Sequence, residues 1–453
     1  MSDGGGTLVR GRHVLTAATP GAIVDGAVRI VGERIDSVGS WDDLRGLFPD
    51  DEVAGGPNDV VTPGFVNTHG HFSEALVIGI AKQHTLWEWV GALVAPVAPY
   101  LDDEAAYVGT LISGMQMLQS GITVTNDMFV CDPKPESPVT PGVVRALDEL
   151  GLRGVVSFGA GDVRGTPTQV LLDEHAALAE AAAASKLSRF RVGVAAVGAQ
   201  SDELFASSIE LARSGSYGVH IHLQEVREEV TAIRLQHGVS PIGFCARTGL
   251  FEVATIGAHC VWVDHADREM LAEHRVGVAH NPVSNMILAS GVCPVPDLLR
   301  RGIAVGIGVD GPASNDSQDM LEAIKMTSLL QRVDSLQATA LSAEAAFEMA
   351  TIGGARALCL EQELGSLEAG KVADLVVFDG EAPALANVHD PFAAIVFVAG
   401  PGEVKDVWVG GEKSVESGQI VRVDSGEVAD RSRPIARRVM TAAGLADADL
   451  GFH

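Results

Sequence analysis

Residues 60–71 read Val60-Val61-Thr62-Pro63-Gly64-Phe65-Val66-Asn67-Thr68-His69-Gly70-His71, an apolar run that ends in two histidines two positions apart. The run is short and rich in β-branched residues, which predicts a buried strand. Side chains two positions apart lie on the same face of a strand, so both imidazoles converge where the strand ends. Two neutral imidazoles there form half of a metal site, although such a pair alone is also typical of core or surface histidines.

After this stretch, short apolar segments alternate with helical segments rich in Ala and Leu, which is typical of a parallel sheet built from βα units. We predict strands at residues 61–67, 122–128, 154–158, 191–197, 218–223, 258–263, 276–280 and 305–309. Helices are predicted between them, for example at residues 104–120, 173–185, 201–212 and 295–301. Eight strand–helix repeats before residue 365 predict a (β/α)₈ TIM barrel.

Both ends of the chain have the composition of β-strands. Residues 27–31 and 34–38 flank Gly32-Glu33, which predicts a hairpin, and further strands are predicted at 373–378, 393–398 and 404–409. We expect residues 1–60 and 366–425 to form a small β-sandwich domain, with the metal-binding barrel at 61–365 and a helical tail at 426–453. The predicted fold class is therefore α/β.

Composition and charge narrow the classes of partner. The formal net charge of -27 disfavours nucleic acid and strongly anionic substrates, because such a surface repels both. The five cysteines are widely spaced without a CxxC pair, which indicates reduced thiols in a cytoplasmic protein. The first residues do not resemble a signal peptide, and the sequence has no apolar run of about 18 residues, so no membrane partner is expected.

Polar residues at the ends of later strands extend the histidine pair. The carboxyl ends of parallel barrel strands converge on one rim, where residues far apart in sequence become neighbours. The fifth predicted strand carries His222, which can supply a third imidazole, and Glu225, which can reach over the metal. For His222 alone, a satisfied core histidine is the alternative. His220 lies deeper on the same face, where an interior or pocket histidine is favoured over a ligand.

Two more strand ends complete the set. On the sixth strand, His259 can form a hydrogen bond to a metal-bound water or a substrate atom. Asp310 follows the apolar strand at 305–309, and a carboxylate in such surroundings is costly to bury unless it meets a cation. Asp310 is therefore predicted as the fourth ligand, the alternative being an N-cap for the next helix.

Three imidazoles and one carboxylate suit one Zn²⁺ per chain, with Fe²⁺ as the second choice. Water on such an ion ionises near neutral pH and becomes a hydroxide nucleophile. Glu225 is expected to move the proton to the leaving group, while His259 and Asp310 orient the nucleophile and stabilise charge. The predicted reaction is hydrolysis at an electron-poor carbon.

The motifs resemble the amidohydrolase superfamily, specifically its deaminase and s-triazine chlorohydrolase-like branch. The matching stretches lie at residues 62–71, 220–225, 258–260, 280–285, 308–316, 349–358 and 365–375. The resemblance implies a barrel with a β-sandwich made from both termini and one metal, since the fourth strand offers no lysine to bridge two. It also implies a homo-oligomer as a possible assembly. The implied ligands and catalytic residues are His69, His71, His222, Asp310, Glu225 and His259.

The segment at residues 84–90 resembles the part of s-triazine, purine and pterin hydrolases that lines the substrate pocket. Its two tryptophans can stack on a planar ring, although one of them is expected to belong to the core. The candidates for substrate contact are Trp87, Trp89, Phe72, Glu74, His84 and Gln200.

Two departures from the family pattern concern the substrate. Relatives that deaminate adenosine-type nucleosides usually have Arg-Gly where this chain has Ile78-Gly79, and a histidine where it has Gln200. Both departures count against a nucleoside deaminase.

We predict a mononuclear metal-dependent hydrolase that removes an amino or similar group from a small heteroaromatic substrate by attack of metal-bound hydroxide. The substrate is expected to be planar, not strongly anionic, and of purine, pterin, pyrimidine or s-triazine type. One alternative is hydrolysis of an exocyclic amide, urea or (thio)carbamate C–N bond of an aromatic compound. A non-catalytic binding module is the other, and it is disfavoured because every catalytic position is occupied.

Overall fold

The computed structural model describes residues 5–446, in which two β-structures account for all of the strands. In chain order the strands are β1 (Thr7–Leu15), β2 (Ala22–Val31), β3 (Arg34–Ser40), β4 (Glu52–Gly55), β5 (Val60–Pro63), β6 (Phe65–Gly70), β7 (Ile122–Phe129), β8 (Arg153–Phe158), β9 (Ser188–Ala196), β10 (Gly218–Leu223), β11 (Thr255–His259), β12 (Gly277–His280), β13 (Val305–Ile307), β14 (Leu375–Phe378), β15 (Val404–Val409), β16 (Glu412–Glu416) and β17 (Gln419–Ile420).

The α-helices mostly connect the barrel strands or cover the terminal sheet. They are α1 (Trp41–Leu47), α2 (Leu86–Trp89), α3 (Ala95–Val97), α4 (Asp103–Gln119), α5 (Pro141–Leu150), α6 (Thr168–Ala184), α7 (Asp202–Gly215), α8 (Arg227–His237), α9 (Pro241–Thr248), α10 (His265–Glu273), α11 (Pro282–Ile287), α12 (Val295–Arg300), α13 (Met320–Ser335), α14 (Ala343–Glu348), α15 (Gly354–Ala357), α16 (Pro391–Phe397) and α17 (Ser425–Ala442). No helix in the described range is long and apolar enough to cross a bilayer.

Strands β6 to β13 form a closed barrel of eight parallel strands. The barrel closes where β13 pairs with β6, through Ile307 opposite Asn67. Parallel strands in a barrel all end at the same rim, and active sites of such barrels lie there. The predicted TIM barrel is confirmed.

The two ends of the chain share a nine-stranded mixed sheet. Its strands run in the order β17-β16-β15-β14-β5-β1-β2-β3, with β4 paired to β1. The N-terminal and C-terminal parts meet where β5 and β14 pair antiparallel, with Val61 opposite Val377. The predicted β-structure built from both termini is confirmed, and so is the hairpin at Gly32-Glu33, which joins β2 to β3.

Local assignments differ from the sequence prediction in three places. The predicted strand at 393–398 is wrong, because this segment is helix α16, whose first turn is capped by the Asp390 carboxylate accepting from the Ala393 N–H. The predicted strand at 61–67 divides at Gly64 into β5 of the terminal sheet and β6 of the barrel. The sixth barrel strand ends at His259 instead of continuing to residue 263. Residues 1–4 and 447–453 of the predicted terminal regions lie outside the described residues.

The division at Gly64 has a steric reason. A Cβ on Gly64 would overlap the side chain of Thr123 on the neighbouring strand β7. Glycine therefore lets the chain pass from the terminal sheet into the barrel in close contact with β7. This transition sets the start of β6 and, with it, the position of the histidines that follow.

Candidate active site

The carboxyl ends of four barrel strands bring polar side chains together at one rim. His69 lies in β6 and His71 directly after it, while His222 lies in β10. His259 is the last residue of β11, and Asp310 follows β13, where its backbone forms a bridge to Gly70. All five are at least half-buried, and the backbone ladder of the barrel sets their spacing.

The five side chains form one cluster. His71 Nε2 is 3.1 Å from His222 Nε2, and Asp310 Oδ1 is 3.3 Å from His69 Nε2 and 3.5 Å from His71 Nε2. Candidate ligand atoms of His69, His71 and His222 lie within 4.8 Å of one another, as do those of His69, His259 and Asp310. Each of the four side chains predicted as ligands thus has a donor atom within 3.5 Å of a donor atom of another.

Hydrogen bonds fix which nitrogen of each imidazole faces the cluster. His71 Nδ1 is 2.6 Å from the carbonyl oxygen of Met128, and His222 Nδ1 is 2.6 Å from that of Ala195. A carbonyl only accepts, so each Nδ1 carries the proton and each Nε2 presents a lone pair to the centre. This tautomer is the one that a metal ion requires.

His69 completes the inner face of the cluster. Its Nδ1 is 2.8 Å from His220 Nε2, and its Nε2 is buried without a hydrogen-bond partner among the described residues. Burial lowers the pKa of His69 to about 4, so the ring is neutral near pH 7. A neutral, orphaned nitrogen beside a carboxylate fits a bound cation, because buried polar atoms otherwise find a partner.

His220 lies one layer deeper in the barrel. Its Nδ1 is 3.1 Å from Ser157 Oγ and 3.2 Å from Asn126 Nδ2, and its Nε2 faces His69. The side chain is fully buried and is not among the residues that line the adjoining cavity. The structure therefore gives His220 a supporting position beneath His69, which agrees with the favoured interior placement.

Electrostatics around Asp310 favour its charged form. Burial tends to raise the pKa of Asp310, but His69, His259 and His71 outweigh it and hold the pKa well below the usual value. The pKa of His259 is raised, because Glu225 and Asp310 more than offset the effect of burial. Burial also raises the pKa of Glu225. The centre thus combines the charged carboxylate of Asp310 with a carboxyl group, Glu225, and an imidazole, His259, whose pKa values are both raised.

A cavity of about 210 Å³ opens onto this cluster. Much of the lining is apolar, formed by Leu86, Trp87, Trp89, Val90, Val94, Val130 and Val163, with the charged side chain of Arg164 among them. Trp87 is 49% exposed and Trp89 only 5%, so Trp87 is open to solvent while Trp89 is largely buried. Four of the five cluster residues, His71, His222, His259 and Asp310, line the cavity, and Glu225 lines it beside them.

The predicted substrate-contact residues divide between this cavity and other places. Trp87, Trp89 and Glu74 line it. Phe72 is buried in the core instead, His84 is exposed on the connecting segment, and Gln200 donates its Nε2–H to the carbonyl of Ala160. These three are not among the lining residues.

Two buried carboxyl groups stand beside the centre. Glu74 Oε2 accepts from the backbone N–H groups of Ala313 and Ser314 at 3.0 Å each, which ties it to the loop after Asp310. Glu229 was not predicted from the sequence; its Oε2 accepts from the Glu225 N–H at 3.1 Å. Burial raises the pKa of each to about 7. The signal for Glu229 was its place four residues after Glu225, in the first turn of α8.

The chain resembles known proteins both in sequence and in fold. The profile described as "Amidohydrolase family" matches residues 60–414. The chain is 36% identical over 438 residues to the 5-methylthioadenosine/S-adenosylhomocysteine deaminase of Desulforudis audaxviator, covering 96% of this chain and 99% of that protein. It is 34% identical over 431 residues to the 5'-deoxyadenosine deaminase of Methanopyrus kandleri, covering 94% and 98%. A zinc-bound adenosine deaminase from Xanthomonas campestris superposes with a TM-score of 0.89 at 27% identity, over 96% of this chain and 99% of that chain.

Proposed function

Because this chain belongs to the amidohydrolase family, we propose that it removes the amino group of a purine-type compound by hydrolysis at the cluster described above, with one zinc ion. The predicted enzyme class, a hydrolase of C–N bonds of the deaminase type acting on heteroaromatic compounds, is confirmed. The identity of the metal, the role of each residue and the substrate are parts of the proposal.

The observation that carries the proposal is the orphaned, neutral Nε2 of His69, which lies 3.3 Å from Asp310 among inward-facing imidazoles. His69, His71, His222 and Asp310 would hold the ion. Nitrogen and carboxylate donors of this kind suit Zn²⁺ first and Fe²⁺ second. When bound, the ion would supply an ionised water as nucleophile at neutral pH.

Glu225 would handle the protons of the reaction. Glu225 lines the cavity, with its Oε2 3.5 Å from His259 Nε2, and burial raises its pKa. A carboxylate there can accept the proton of the attacking water and pass it to the departing amino nitrogen. His259, also 3.8 Å from Asp310, would stabilise negative charge that develops at the reacting carbon's oxygen.

The cavity wall indicates the kind of substrate. Trp87 would stack on a planar ring, and the valines and leucine around it favour an apolar substituent on that ring. The names of the relatives favour adenosine-type purines. Ile78 is 55% exposed and, like Gln200, is not among the cavity-lining residues, so the two departures that count against a nucleoside deaminase are not part of the cavity wall.

The test is a substrate screen with the zinc-loaded protein. It would include 5'-deoxyadenosine, 5'-methylthioadenosine, adenine, guanine, pterins, s-triazines and aryl ureas. Ammonia release together with an oxo group on the ring would support the proposal, while amine plus carbon dioxide or a carboxylic acid would support amide or urea hydrolysis instead. Absence of turnover across the aminated rings would contradict deamination of this substrate class.

The role of Glu225 is tested by Glu225→Gln, which keeps the side-chain shape but removes the exchangeable proton. We expect turnover to fall by about 10²- to 10⁴-fold with an unchanged metal content. Glu228→Gln is the matched control, because Glu228 is an exposed residue in the first turn of α8. Near-normal turnover of Glu225→Gln would remove this residue from the mechanism.

Two further expectations stay predictions. Zinc as the native metal would be tested by elemental analysis of the protein purified without added metal, with iron as the competing outcome. A homo-oligomer would be tested by the mass of the protein in solution.

A further inference from the structure

A short segment after β12 contacts both residues that handle protons in the proposed reaction. Asn285 Oδ1, in α11, lies 2.8 Å from His259 Nδ1. Ser290, five residues later, donates its hydroxyl to Glu225 Oε1 at 2.9 Å. The two residues are joined, because the Ser290 N–H donates to the carbonyl of Asn285 at 2.8 Å. With His259 Nε2 at 3.5 Å from Glu225 Oε2, the four residues form a closed ring.

Burial makes this ring rigid. His259, Glu225, Asn285 and Ser290 are each at most 3% exposed. A lost contact therefore leaves a buried polar atom without its protein partner. Ser290 lies in the loop after α11 and not in the helix itself. Its contact with Glu225 therefore depends on the hydrogen bond from the Ser290 N–H to the Asn285 carbonyl.

The contact with Asn285 also orients the ring of His259. An amide oxygen only accepts, so His259 Nδ1 carries a proton and its Nε2 is directed at Glu225 and Asp310. The backbone adds a reason for this support. His259 and Cys260 have φ angles of 72° and 47°, two consecutive non-glycine residues in the left-handed region. Such a conformation persists only where surrounding contacts hold it.

We propose that Asn285 and Ser290 are positioning residues that hold His259 and Glu225 as one preassembled proton-transfer pair. This inference rests on the proposed catalytic roles of Glu225 and His259. Neither positioning residue lines the cavity, so each acts through the residue that it contacts. Because both belong to one ten-residue stretch, 281–290, the separation of His259 from Glu225 is set by local backbone geometry.

The first experiment compares variants that remove a contact with variants that keep it. Ser290→Ala and Asn285→Leu should lower kcat by about 10- to 100-fold, with KM changed by less than about threefold and metal content unchanged. Ser290→Thr, which retains the hydroxyl, and Asn285→Asp, which retains an oxygen acceptor, should recover most of the lost rate. Ser328→Ala is the matched control. Ser328 lies in α13 and is also buried, but its hydroxyl donates to the carbonyl of Leu341 and not to Glu225. Unchanged kcat in both Ser290→Ala and Asn285→Leu would overturn the inference.

The second experiment asks whether Ser290 acts through Glu225. In a Glu225→Gln background, Ser290→Ala should cause no further loss of kcat, whereas an independent effect would multiply. A multiplied loss would overturn the inference while leaving the proposed function intact. If Glu225→Gln alone keeps near-normal turnover, the proposed role of Glu225 fails and the inference fails with it.

A third measurement does not depend on activity or on metal. In ¹⁵N-histidine-labelled, metal-free protein, the His259 ring should show a protonated Nδ1 that is protected from exchange, and Asn285→Leu should abolish this protection. A His259 ring that shows the same protected Nδ1 in the variant would overturn the contact on which the inference rests.

Discussion

His175 offers a test of how this fold responds to acid. It lies in α6 between the rings of Phe158 and Phe190, with ring centroids 5.2 Å and 6.0 Å away. Both of its ring nitrogens are buried without a partner among the described residues. Burial lowers the pKa of His175 to about 3, so the folded protein keeps the ring neutral. The perturbation is His175→Leu, which replaces an unsatisfied polar ring by an apolar side chain.

The magnitude follows from the difference between the folded and unfolded pKa values. The unfolded chain has a histidine pKa of about 6.5, so below that pH it binds a proton that the folded chain does not. The stability that His175 contributes is thus present above about pH 6.5 and is lost as the pH falls toward 3. At about 1.4 kcal/mol per pH unit, lowering the pH from about 7.5 to about 5 removes about 2 kcal/mol.

The assay is urea-induced unfolding at these two pH values. His175→Leu should retain about 2 kcal/mol more of the free energy of unfolding than the wild type when the pH is lowered. It should also gain about 1 kcal/mol near neutral pH, because no buried nitrogen is left unsatisfied. His175→Gln should lose the pH dependence without that gain, since its amide does not titrate. His265→Gln, at an exposed residue, should behave as the wild type. Equal losses in the wild type and His175→Leu would refute this reasoning.

Three further predictions concern the site and the barrel. In the wild type, Glu229 should cost about 3 kcal/mol of the free energy of unfolding as the pH rises from about 4.5 to about 7, because burial raises the pKa of Glu229 to about 7 in the folded protein. Glu229→Gln should not show this loss of stability. Thermal unfolding at about pH 5 and pH 8 would measure the difference, and identical pH profiles of the two proteins would contradict it. His222→Ala should lower the bound metal below one equivalent, measured by elemental analysis, whereas His274→Ala at an exposed position should not. Gly64→Ala should destabilise the protein by about 1–3 kcal/mol, because the added Cβ overlaps Thr123. Gly46→Ala is the control and should leave the stability unchanged, because a Cβ there meets open space. Equal midpoints of chemical unfolding for the two variants would argue against the overlap.

The apolar segment at 393–398 was predicted as a strand and is a helix, because its sequence pattern does not distinguish the two. A short apolar run suits a buried strand and a buried helix equally well, because neither periodicity develops over six residues. Here Asp390 caps the first turn, Pro391 begins the helix, and the segment packs against α14 and α13. The Asp-Pro pair before the run was the only local signal for a helix.

The sequence did not show which of the predicted substrate-contact residues face the cavity. Five of the six predicted contact residues lie between residues 72 and 89, yet only Glu74, Trp87 and Trp89 line the cavity. Phe72 begins the one-turn helix Phe72–Glu74, directly after His71. Helix α4 packs against this turn and buries Phe72 in the core. Which side of a connecting segment faces a cavity depends on the neighbours that cover its other side.

The sequence by itself determined the barrel and the group of residues at its rim. Eight βα repeats produce parallel strands, and parallel strands in a closed barrel must end together, so His69, His222 and Asp310 were bound to meet wherever their strands formed. The tertiary structure alone decided which side chains support them. Asn285 reaches His259, and Ser290 reaches Glu225, across contacts of 2.8–2.9 Å between separate βα units. Such contacts arise from how loops of different units pack, and hydrophobic periodicity carries no information about that packing.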